Sequence, residues 1–84
     1  MVHYSPAVNL RLEYTVEPFV EGAPGPHVTA ALEAAGGAGL AVEFGPFGTT
    51  VAGAEAAVLS AADRIVRAAI DAGASRVSLQ LVRA

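Results

Sequence analysis

A chain of 84 residues is expected to form one domain with a thin core, because a chain this short buries only about 60–65% of the surface its unfolded form exposes, which makes association a natural remedy. With no cysteine, neither a disulfide nor a zinc-thiolate site is available, and His3 and His27 are too few and too separated for a metal cluster. A net charge of −3, with five scattered arginines as the basic side chains, argues against a nucleic-acid footprint, and no apolar run reaches the roughly 18–20 residues that span a bilayer.

From Leu10 to Val16 the residues alternate, Leu10, Leu12, Tyr14 and Val16 against Arg11, Glu13, Thr15 and Glu17, which predicts a strand with one buried face. Pro18 ends it, and "EGAPGP" (Glu21 to Pro26) is a loop. Pro26 suits a first helical turn, with Gly25 as cap and Val28, Ala31, Leu32 and Ala35 at helical spacing. "GGAG" (Gly36 to Gly39) stops that helix. Leu40, Val42 and Phe44 then alternate with Ala41, Glu43 and Gly45 as a second strand, "GPFG" turns the chain, and Thr49 to Ala52 is a third. The span Ala54 to Ala72 predicts a long helix whose apolar side holds Val58, Leu59, Ala62, Ile65, Val66, Ala69 and Ile70, capped by Gly73. On its polar side Asp63, Arg67 and Asp71 are spaced for a charge ladder. Arg76 to Val82 alternates as the last strand.

The order β-α-β-β-α-β predicts an α+β, ferredoxin-like sandwich, a four-stranded antiparallel sheet with both helices on one face. The whole of 1–84 is expected to be this one domain, with 1–8 as a segment that need not be ordered. Strands one and three are expected to run parallel side by side, bringing both helix N-termini to one end as a receptor for a carboxylate or phosphate. The uncovered face should carry Arg11, Glu13, Thr15, Glu17, Ala41, Glu43, Thr50, Ser78 and Gln80. Its small residues and hydroxyls suit contact more than solvation. Leu40 to Phe44 and Arg76 to Val82 are the expected edges, open to a neighbouring chain.

Nothing in the pattern points to catalysis. Glu13 and Glu17 share a face without a pocket to separate their acidities, His27 reads as a surface histidine, no nucleophile elbow occurs, and "GAPGP" lacks the Lys-Ser/Thr of a phosphate loop. The N-terminus has neither a charged leader segment nor an apolar one, so the expected location is the cytoplasm.

The runs "LEYTVEPF", "GPFGTTVAG" and "GASRVSLQLV" together resemble the thiamine-binding protein family of small ferredoxin-like proteins. The likeness covers nearly the whole chain after Asn9. The family's "P-x-G-T-x-x-x-G" hairpin falls on Pro46, Gly48, Thr49 and Gly53, and its "G-x-x-R-V" last strand on Gly73, Arg76 and Val77. The resemblance implies binding of thiamine or a related hydroxymethylpyrimidine compound, with no cofactor and no catalysis. It also implies a homodimer or homotetramer joined through sheet edges and the open face. Two departures bear on whether a ligand is held: Ala52 stands where many members carry Glu, and the sequence stops at Ala84 without a charged tail.

A pyrimidine needs an apolar slot with a few donors, and a thiazolium favours a carboxylate or ring face. On that chemistry the candidate ligand-binding residues are Glu43 to balance charge, Phe47 to stack, Thr49 and Thr50 of the threonine pair, and Ser78 as a hydrogen-bonding partner. Each also has a plainer role: Phe47 as a plug for the end of the core, Thr50 as a strand former, Glu43 as a soluble edge. The competing class is a structural or regulatory protein-interaction module that holds no small molecule.

Overall fold

The structure, a computed structural model, describes residues 8–18, 25–37, 39–45 and 48–84. In chain order these form β1 (Asn9–Glu17), α1 (Pro26–Ala35), β2 (Ala41–Gly45), β3 (Gly48–Ala54), α2 (Glu55–Asp71) and β4 (Arg76–Arg83). The strands make one sheet in the order β2-β3-β1-β4, every neighbouring pair antiparallel, with β2 and β4 at the edges. This is the ferredoxin-like α+β architecture that the alternation and the helical spacing predict.

Period two in β1 decides the layering. Leu12, Tyr14 and Val16 are buried while Arg11, Glu13, Thr15 and Glu17 are exposed. Register extends that division across the sheet, because residues paired across antiparallel strands project to the same side. Leu12 pairs with Val51 and Leu81, and Tyr14 with Thr49 and Leu79, so those side chains share the helix-covered face. On this face Val51, Val58, Ala61, Ile65 and Ala69 close with Leu12 into a core without solvent access.

α1 starts on Pro26 with Gly25 as its cap, the Val28 N–H donating to the Gly25 carbonyl. The helices pack chiefly on each other, and their fully buried positions include the small side chains of Ala31, Ala35, Ala61 and Ala69. Across that seam Arg64 Nε donates to the Ala34 carbonyl at 3.2 Å, satisfying one of the acceptors that the C-terminal turn of α1 leaves open. At the end of α2, Gly73 takes φ 105°, and the Ala74 N–H closes onto the Ala69 carbonyl. No helix among the described residues is long and apolar enough to cross a membrane.

Four sequence expectations change. First, β1 and β3 are antiparallel. The β2–β3 hairpin reverses the chain, so the parallel pair is β1 with β2, which are not neighbours. The N-termini of α1 and α2 therefore lie at opposite ends, and the shared anion receptor does not form. Second, Leu59 and Ile70 of α2 are about half exposed. They sit about 120–140° around the helix from fully buried Ile65, beyond the arc the sheet covers. Third, His27 is buried instead of lying on the surface, its Nε2–H donating to the Pro18 carbonyl oxygen and tying the start of α1 to the end of β1. Fourth, the charge ladder is shorter than its spacing allows: Arg67 meets Asp63 at 3.0 Å, and Asp71 makes no ion pair among the described residues. The possible disorder of 1–8 concerns a segment of which 1–7 lie outside the described residues.

Candidate functional site

The face of the sheet turned away from the helices carries polar side chains from all four strands. Register sorts them into rows. One row runs Glu43, Thr50, Glu13, Gln80 from β2 across to β4. The adjacent row opens with the Gly45–Gly48 pair and ends with the Thr15–Ser78 pair. Neighbours across antiparallel strands lie about 4.5–5.5 Å apart at Cβ, so each row is a set of side chains within one small molecule's reach.

These two rows enclose a depression of about 440 Å³, lined by Glu13, Thr15, Thr50, Ser78 and Gln80 around Gly45 and Gly48. That size falls within the range of small-molecule sites. It exists because two facing positions have no side chain. Gly48 has φ 153°, and a Cβ there would lie 2.9 Å from the Tyr14 carbonyl oxygen and 3.2 Å from Thr15 Cγ2. The hairpin end of β3 thus lies tight against β1, leaving the surface beside Thr15 bare.

The electrostatics are simple. Among the described residues Glu13 is the one charged residue in the lining, and its carboxylate meets Arg11 Nε at 3.3 Å on the same strand face. Both side chains are about half exposed. Further along, Arg76 Nη1 stands 3.7 Å from Glu17 Oε2. Thr15, Thr50 and Ser78 add three neutral hydroxyls that can donate or accept.

On the covered side of the same strand, Tyr14 is 5% exposed, and its Oη has no hydrogen-bond partner among the described residues. Burial pushes the phenol above its ordinary value of 10.0. Thr49, opposite on β3, pulls it partly back, yet its hydroxyl does not reach hydrogen-bonding geometry. Burying a hydroxyl without a partner is unfavourable, so Tyr14→Phe should leave stability unchanged or raise it by up to about 1 kcal/mol near neutral pH. The sign with pH follows from linkage. A phenol whose folded pKa lies above its unfolded one favours the folded state fully below about pH 10, and that contribution is lost as pH rises through the folded pKa. Urea midpoints of the two proteins should therefore diverge further in favour of the Phe variant above about pH 10. A Phe variant weaker by more than about 1 kcal/mol at pH 7 would reveal a hydroxyl that is bonded after all.

The structure brings together two of the five residues singled out from the sequence, with their side chains outward: Thr50 and Ser78 line the depression. Thr49 also borders it, but pairs with Tyr14 on the covered side and is 4% exposed, so strand backbone is what it offers. Glu43 stands beside Thr50 on edge strand β2, exposed and outside the lining. Phe47, like Pro46, lies outside the described residues. Glu13, Thr15 and Gln80 were placed on the open face by alternation alone, but which row each occupies depends on pairing register.

The hairpin motif has a steric basis at both ends. Besides Gly48, Gly53 lies under the α1–β2 connection, where a Cβ would come within 2.7 Å of the Gly39 carbonyl oxygen and 3.0 Å of Leu40 Cδ2. A βαββαβ sheet with helices on one side and a glycine-floored depression on the other defines a ferredoxin-like α+β protein with one open sheet face. Within that class the chain belongs to the thiamine-binding protein family, whose model, described as "Thiamine-binding protein", matches residues 12–82. Two solved structures share the fold. A domain of unknown function, DUF77, from Bacillus cereus has 23% identity and a TM-score of 0.68, covering 98% of this chain and 80% of that one. A hypothetical protein from Methanocaldococcus jannascii has 23% identity and a TM-score of 0.66, covering 90% and 78% respectively. Comparison with curated proteins found no match.

Proposed function

We propose that this protein is a non-enzymatic binder of thiamine or a related hydroxymethylpyrimidine compound, working in the cytoplasm as a homo-oligomer. The observation that carries the reading is the depression over Gly45 and Gly48, which sets the hydroxyls of Thr50 and Ser78 and the carboxylate of Glu13 around a floor without side chains. A flat heterocycle can lie on such a floor, with hydroxyls for its ring nitrogens and a carboxylate for a cationic ring. The family's description points to the same ligand.

The depression is open on its outer side, so a second copy laid against the open face, or paired along the β2 or β4 edge, would close it. Dimer and tetramer both satisfy that requirement. Glu13, half exposed and ion-paired, lacks the dry surroundings that general acid-base chemistry uses, which favours binding over turnover.

A protein-interaction module without a ligand is the second reading. It draws on Leu59 and Ile70 of α2 and Leu79 and Leu81 of β4, large apolar side chains that are 39–51% exposed. Titration calorimetry with thiamine and with hydroxymethylpyrimidine separates the two readings. Saturable heat with about one ligand per chain is expected, at a Kd between about 1 μM and 1 mM. No heat at millimolar ligand would leave the interaction module standing.

A further inference from the structure

We infer that the site selects by charge: it takes the unphosphorylated heterocycle and rejects its phosphate esters. The inference rests on the ligand reading above and adds to it a preference arising from this chain's own residues.

The charge in the lining is the carboxylate of Glu13, and Glu43 stands one strand beyond Thr50 in the same row. Among the described residues the nearest arginines on this face each stand beside a carboxylate, Arg11 by Glu13 at 3.3 Å and Arg76 by Glu17 at 3.7 Å, so neither is an unopposed cation. From Leu10 to Tyr14 the backbone of β1 is engaged by ladders on both sides, with β3 and with β4. The N-terminus of α2 follows Ala54, at the far end of β3 from Gly48, and α1 lies on the covered side of the sheet. Among the described residues a phosphate placed here meets neutral hydroxyls, the Glu13–Arg11 pair and Glu43 beyond Thr50, without an unopposed cation or a helix N-terminus to hold it. A cationic ring can take the place of Arg11 beside the Glu13 carboxylate, and a neutral ring leaves that pair as it is.

Like-charge contact of this kind sets specificity more than affinity. Calorimetric titration of the full-length protein with thiamine, thiamine monophosphate and thiamine diphosphate, at low and high salt, tests it. The monophosphate is expected to bind at least roughly tenfold more weakly than thiamine and the diphosphate more weakly still. The gap should narrow as salt rises from about 0.05 to 0.5 M, because screening shortens the reach of the carboxylate. Glu13→Gln removes that carboxylate and releases Arg11, so thiamine should weaken while the diphosphate tightens. Thr50→Val, which changes no charge, should weaken all ligands and keep their ratios. Equal or tighter binding of the diphosphate by the unaltered protein overturns the inference while the ligand reading stands, and an unchanged gap in Glu13→Gln overturns the role given to that carboxylate. Absence of heat with every ligand overturns both.

Discussion

Replacement of Leu12 by alanine is expected to remove about 2–5 kcal/mol of stability. Leu12 has no solvent access, lies on central strand β1, and is flanked by Val51 and Leu81 across the ladders on either side. Above it α2 supplies Val58 and Ile65, both fully buried. A cavity at that point is walled on every side by strands and helix, so collapse can recover little. The total at stake is small: a domain of 84 residues has about 4–13 kcal/mol of stability in all. At about 4–8 °C per kcal/mol for this size, the thermal midpoint should fall by roughly 8–40 °C. Leu59→Ala provides the contrast, since Leu59 is 46% exposed and should lose less than about 1 kcal/mol. Urea unfolding followed by circular dichroism, at several protein concentrations so that association is accounted for, reads both. A Leu12→Ala loss below about 1 kcal/mol would mean that the core is organised around other residues.

The layering was legible in the sequence because period two in β1 needs no tertiary information: Leu12, Tyr14 and Val16 go one way and Glu13 and Thr15 the other. The fold and the family likeness follow from the same local signals. What alternation cannot supply is register. It places Glu13, Glu43, Thr50 and Gln80 on one face, but the pairing of Glu13 with both Thr50 and Gln80 is what puts Glu13 in the lining and Glu43 one strand outside it. Strand direction is also a long-range property, and the hairpin between β2 and β3 makes β1 and β3 antiparallel. His27 carries a polar ring in a first helical turn, which locally suggests solvent, and its burial depends on the carbonyl of Pro18 nine residues earlier in the chain. On α2 the apolar arc includes Leu59 and Ile70, and the position of the sheet and α1 decides which part of that arc is covered.

The second large effect is expected at Gly48, where the fold and the proposed site depend on the same missing side chain. Gly48→Ala should lower stability by about 1–3 kcal/mol, because φ 153° is unfavourable for alanine and its Cβ would press on the Tyr14 carbonyl at 2.9 Å. It should also abolish ligand heat, since relief of that contact moves the hairpin end and a methyl group enters the floor beside Thr15. Two companions separate the causes. Gly53→Ala meets the Gly39 carbonyl at 2.7 Å, at the end of β3 away from the depression, so stability should fall by a similar amount while ligand affinity in the folded fraction is kept. Among the described residues Gly45→Ala meets the Gly48 carbonyl oxygen alone, at 3.2 Å, so a smaller stability loss should accompany weaker binding. Denaturation and ligand titration on the three variants then give three different pairs of outcomes. Should Gly48→Ala and Gly45→Ala both bind thiamine as the unaltered protein does, the hairpin glycines serve the backbone alone, and the ligand is held elsewhere than over β1 and β3.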